Sequence, residues 1–171
     1  MKEEIILGLD PGTRITGYGI IQKIQNRPSV IKYGCITLPL EMSHSEKYYL
    51  LFQNIEDLLQ TYQPDHVAVE NQFAHQNVQS ALKLAMAKAA AFIACGKVKT
   101  PIFEYPPTAI KAAVTGNGRA SKEQVQKMVQ TILKISLTIA SHDASDALAI
   151  AICHLERFVK LSSLKMRGSA C

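Results

Sequence analysis

Cysteine is scarce and scattered in this chain. Cys35, Cys95, Cys153 and Cys171 form no C-x-x-C pair, and none of the five histidines completes a ligand set with them. Disulfide and zinc readings are therefore weak, and reduced, mostly buried thiols are expected. Long apolar runs are lacking as well. The best candidate, Ser80 to Gly96, is broken by Lys83 and Lys88, so no segment is expected to reach membrane length. Met1-Lys2-Glu3-Glu4 has neither the basic opening nor the apolar core of a signal segment, which points to the cytoplasm. There is no internal repeat and no sign of a second domain.

What remains fits one domain over residues 1–160, with a basic, disordered tail over 161–171. At 171 residues, 47% hydrophobic and 19% charged, the chain is long enough for one sizeable core and short for two. A net charge of +5 favours an anionic partner without identifying it.

Three strands open the sequence, Glu4 to Asp10, Thr16 to Lys23 and Val30 to Leu38. They are joined by the turn chemistry of Pro11-Gly12-Thr13 and Asn26-Arg27-Pro28, which predicts an antiparallel meander. Apolar spacing predicts a helix from His44 to Tyr62, ended by Pro64. The short apolar strand His66 to Glu70 is expected parallel to the first strand. An Ala-rich helix, Val78 to Cys95 with Gly96 as its C-cap, precedes a fifth strand, Pro101 to Tyr105. Helices follow over Thr108 to Val114 and Ser121 to Ile135, and a last one runs from an N-cap at Ser141 to about Lys160. The predicted architecture is α/β, a five-stranded mixed sheet flanked by helices.

Four carboxylates stand out. Asp10 and Glu70 each close a strand that otherwise reads as buried and central, where an unpaired charge is costly. Ligands of open sheets with parallel neighbours bind beyond such carboxyl ends. Asp143 and Asp146, three apart at a helix start, share one face. Each has an ordinary explanation: a first-turn Asp complements the helix dipole, and Asp10 before Pro11-Gly12 is equally well read as a turn residue. The ordinary explanation weakens when all four are taken together. Hard oxygen donors suit magnesium or manganese, and two such ions stabilise the attacking and leaving oxygens of a phosphoryl displacement.

The segments Ile6-Leu7-Gly8-Leu9-Asp10-Pro11-Gly12-Thr13-Arg14-Ile15-Thr16-Gly17-Tyr18-Gly19, Val69-Glu70-Asn71-Gln72-Phe73 and Asp143-Ala144-Ser145-Asp146-Ala147-Leu148-Ala149-Ile150-Ala151 closely resemble the RuvC family of bacterial Holliday junction resolvases. The resemblance runs from about Ile5 to His154. It implies an RNase H-like fold, a homodimer, and paired nicking of four-way junction DNA with Mg2+, two ions per site, Mn2+ being a possible substitute. It makes Asp10, Glu70, Asp143 and Asp146 the catalytic and metal-binding acids. In-line hydrolysis of this kind leaves a 5′ phosphate and a 3′ hydroxyl. The resemblance also implies work beside the RuvA and RuvB branch-migration proteins.

Further residues are drawn in by the same resemblance. Phe73 is at a place where the family has a junction-contacting aromatic, although its chemistry alone favours packing on the following helix. Lys111 and Lys122 match basic positions near the scissile phosphate. Arg119, Arg14 and Lys83 are candidate phosphate contacts. Gly17-Tyr18-Gly19 suggests either close approach to a ligand or a twisted edge. His142 is either a proton carrier or a plain first-turn residue. Three other readings compete. Gly8-Leu9-Asp10-Pro11-Gly12-Thr13 also resembles the first phosphate loop of actin-like and sugar-kinase ATPases, but no second loop appears. RNase H activity on another substrate, or a non-catalytic DNA-binding scaffold, would use the same fold.

Overall fold

In Ile5–Asp10 (β1), Ile6, Leu7 and Leu9 are all fully buried. A strand that is apolar on both faces belongs at the centre of a sheet. Ile15–Ile24 (β2) pairs with β1 antiparallel and His66–Glu70 (β4) pairs with it parallel. Arg27–Thr37 (β3) lies antiparallel outside β2, and Ile102–Tyr105 (β5) parallel outside β4, giving the order β3-β2-β1-β4-β5. The meander and the parallel placement of β4 follow the sequence expectation. This computed structural model describes residues 4–24, 27–71, 78–136 and 142–168, with side chains of the last helix described as far as residue 157.

Helices cover both faces. Successive strand residues point to opposite sides. Ile6 packs with Leu148 and Ile152 of His142–Gly168 (α5) and with Val125 and Val129 of Lys122–Leu133 (α4), a layer that also holds Pro107–Thr115 (α3) through Ile110 and Val114. Leu7 and Leu9 face Leu51 and Ile55 of His44–Tyr62 (α1) and Ala87 and Ala91 of Val78–Val98 (α2). Capping boxes start α1 (Ser43 with Glu46) and α4 (Ser121 with Gln124), satisfying backbone donors that the helix itself leaves open.

Two glycines set how closely α5 approaches. A Cβ at Gly8 would stand 2.1 Å from the Ala147 carbonyl oxygen, and one at Gly17 would stand 2.0 Å from the Asp143 carbonyl oxygen. Any side chain there would lift the helix off β1 and β2. The glycines of β2 thus serve a helix contact, and neither a ligand nor a twisted edge accounts for them.

Several expectations are corrected. Gly96 does not cap α2; the helix runs to Val98, and the left-handed residue is Lys99 at φ 61°, with the Thr100 N–H donating to the Cys95 carbonyl oxygen at 3.0 Å. By length and composition α2 is apolar enough to cross a membrane, despite Lys83 and Lys88, although part of it is buried in the core. Helix α5 extends to Gly168, past the expected end near Lys160; Leu161, Leu164, Lys165 and Met166 are good helix formers with no proline among them. Cys35 is exposed, while Cys95 and Cys153 are buried.

Candidate active site

Three of the four predicted acids converge at the carboxyl end of the central strand. Asp10 ends β1, with Pro11-Gly12 turning the chain away, and pairs across the ladder with Gly17 of β2. Because Gly17 has no side chain, the first turn of α5 seats directly over this pair, and carboxylate oxygens of Asp10, Asp143 and Asp146 lie within 4.8 Å of one another. The sequence does single out Gly17, but not for this purpose. The strand-strand-helix approach that brings the acids together depends on it.

Glu70 closes β4, the parallel neighbour of β1. With Asp146 it lines a cavity of about 200 Å³, whose other walls include Lys111 of α3, Lys122 of α4 and the apolar side chains of Ile110 and Val125. The predicted residues Lys111 and Lys122 thus share a cavity with Glu70 and Asp146. Arg14 on the β1–β2 turn, Arg119 on the α3–α4 loop and Lys83 on α2 are exposed and are not among the residues lining this cavity. Phe73 and the expected N-cap Ser141 lie outside the described residues. His142 is exposed, and its Nδ1 is engaged by Gln126 of α4.

The electrostatics of the cluster are lopsided. Burial and then the charges of Asp146, Glu70 and Asp143 push the Asp10 carboxyl up to about 7, with Lys122 opposing the rise as the smallest influence. Lys122 Nζ sits 2.7 Å from Asp146 Oδ2, and this contact with its own hydrogen bond holds the ammonium above its usual range. Two lysines do not balance four acids. A site so short of positive charge, built only from hard oxygen donors, fits a divalent cation of the magnesium or manganese type.

A second polar cluster lies at the opposite end of the same elements. His66 opens β4, and its Nδ1 is 3.1 Å from His154 Nε2 on α5 and 3.2 Å from Glu4 Oε1. His154 Nδ1 shares a hydrogen bond of 2.8 Å with Tyr105 Oη. Burial, and secondarily His66, depress the His154 pKa to about 4. Nothing in the sequence signals this cluster, since His66 and His154 are 88 residues apart.

A five-stranded mixed sheet with a carboxylate cluster beyond its central strands, covered on one side by a helix that carries two of the acids, defines an α/β protein of the RNase H-like class with a site suited to phosphodiester chemistry. The family model described as crossover junction endodeoxyribonuclease RuvC matches residues 6–154. The chain belongs to the RuvC family, a family of nucleases that hydrolyse phosphodiester bonds. It is 49% identical to crossover junction endodeoxyribonuclease RuvC of Protochlamydia amoebophila, covering 91% of this chain and 92% of that one. It is 45% identical to the protein of the same description from Geotalea uraniireducens, over 94% of each. The structure of T. thermophilus RuvC in complex with Holliday junction substrate superposes with a TM-score of 0.83 at 25% identity, covering 92% of this chain and 96% of that one. The yeast mitochondrial Holliday junction resolvase Ydc2 shares the fold, at a TM-score of 0.70 and 14% identity over 92% of this chain and 82% of that one.

Proposed function

We propose that this chain is a structure-selective endodeoxyribonuclease that resolves Holliday junctions by paired, Mg2+-dependent nicking, with Asp10, Glu70, Asp143 and Asp146 as its catalytic and metal-holding acids. The observation that carries the reading is the convergence of Asp10, Asp143 and Asp146 at the end of the central strand. When bound, the divalent ions supply Lewis-acid stabilisation of the attacking and leaving oxygens. The protein's own part is positional. Asp10 and Glu70 are fixed by neighbouring strands and Asp143 and Asp146 by one rigid helix face, so the donor set is assembled before substrate arrives. Lys111 and Lys122, which line the same cavity as Glu70 and Asp146, supply positive charge to the scissile phosphate. Arg119, Arg14 and Lys83 extend that charge along the DNA backbone.

Resolution requires two matched cuts, and a two-fold homodimer presents two identical sites. An exposed apolar groove between α1 and α2, lined by Tyr49, Phe52, Met86 and Ile93 among others, supports assembly of two copies. Phe73 is assigned to stacking at the crossover; Phe73→Ala should cost roughly 1–3 kcal/mol of junction affinity without lowering the melting temperature. RuvA and RuvB are the proposed cytoplasmic partners in recombination and repair.

The test is cleavage of a synthetic four-way junction, a matched duplex and an RNA–DNA hybrid, each with and without Mg2+. The reading expects symmetric nicks in the junction alone, and only with Mg2+. Equal cleavage of the hybrid would favour an RNase H activity, and junction binding without cleavage a scaffold.

A further inference from the structure

Lys122 occupies the first helical position of α4, directly after its N-cap Ser121. A cation there opposes the helix dipole, whose positive end favours acids, so the helix gains nothing from this choice of residue. Its neighbour Glu123 is the kind of residue the position prefers. The reason for Lys122 lies outside its own helix. Its ammonium reaches across to α5 and pairs with Asp146 at 2.7 Å, within the same carboxylate group as Asp10 and Asp143.

We propose that Lys122 is a tethered counter-ion of the acid cluster, which holds Asp146 in the metal-free protein, is displaced when a divalent cation enters, and is thereby freed toward the phosphate. The inference rests on the proposed metal site. Lys122 and the incoming cation claim the same Asp146 carboxylate, so each weakens the other's hold, and the coupling is reciprocal. The side chain of Lys122 is 55% exposed and that of Asp146 26%, so water screens the pair and the exchange is readily reversible. Lys111 lines the cavity from α3 but has no ion pair to any of the three clustered acids among the described residues. The competition is therefore assigned to Lys122 and not to basic charge in general.

The test is calorimetric titration of Mn2+ into metal-free protein at pH 8, without DNA, for the wild type and for Lys122→Gln, Lys122→Met, Lys122→Arg and Asp10→Asn. Melting curves are recorded with EDTA and with Mn2+. Losing the competitor should tighten Mn2+ binding roughly threefold to tenfold in both neutral variants, the scale of a partly screened charge contact. Lys122→Arg should stay close to the wild type. The neutral variants should melt lower than the wild type in EDTA and recover with Mn2+, whereas a purely structural lysine would lower both curves alike. Equal or weaker Mn2+ binding in the neutral variants, with binding lost in Asp10→Asn, would overturn the counter-ion role and leave the metal site standing. A wild type that binds no Mn2+ would overturn the metal site and the counter-ion role together.

Discussion

Helix α5 and strand β4 each contribute to two polar clusters. At one end Asp143 and Asp146 meet Asp10, with Glu70 closing β4; at the other, about 12–16 Å further along the helix axis, His154 meets His66, which opens β4. The histidine cluster is closed. His154 is neutral at ordinary pH, hydrogen-bonded at both nitrogens, and packed against the Phe103 ring at 4.7 Å between centroids. The acid cluster is open: burial and then the neighbouring acids raise Asp10 to about 7, and Lys122 offsets little of that. Polar groups that satisfy one another contribute to folding, whereas polar groups that repel one another have been kept for a ligand.

Neutralising the open cluster should give the largest effect. Asp10→Asn should reduce junction cleavage at least about a hundredfold, the scale of losing one electrostatic element of a site. The same change should raise the melting temperature of the metal-free protein, because it relieves repulsion, and calorimetry beside a nicking assay checks both. A variant that is both active and less stable would erase the contrast between the two ends.

Breaking the closed cluster should do the reverse. His154→Ala removes a buried ring and strands the Tyr105 hydroxyl, which should cost about 2–4 kcal/mol in urea unfolding. Cleavage per folded molecule should stay near wild type. Loss of cleavage at full stability would assign the histidines to the site.

The two ends also titrate in opposite senses. His154 has a depressed pKa near 4 against an ordinary 6.5, so its contribution to stability is full above pH 6.5 and is lost as pH falls toward 4. Asp10 has a raised pKa near 7 against 3.8, so its contribution is full below pH 3.8 and is lost as pH rises through 7. In EDTA these slopes offset one another between about pH 4 and 6.5. Asp10→Asn should therefore show stability rising more steeply with pH across that window than the wild type, and parallel curves would contradict the assignment.

The smallest effect concerns the rim of the open cluster. Lys111→Gln should shallow the salt dependence of junction binding by about one unit of slope. An unchanged slope would restrict Lys111 to the chemical step.

Most of the fold was legible because the signals are local. The doubly apolar β1, the turn at Pro11-Gly12 and the apolar spacing from His44 to Tyr62 each state their element within a few residues. The acids were legible as strand-end and helix-start anomalies, and the resemblance to the RuvC family joined them. Local sequence points to a ligand approach or a twisted edge at Gly17 and to a phosphate contact at Lys122, because their roles depend on where α5 lands. Gly96 misled because a helix-terminating residue carries no weight where the helix bonds continue past it. The histidine cluster was invisible, since no local pattern joins Glu4, His66, Tyr105 and His154.

The most direct test of the contrast is anomalous diffraction from crystals of this protein grown with Mn2+. Anomalous density among the carboxylates of Asp10, Asp143 and Asp146, and none between His66 and His154, is the predicted result. A cation between the histidines, or none at the acids at saturating Mn2+, would contradict it.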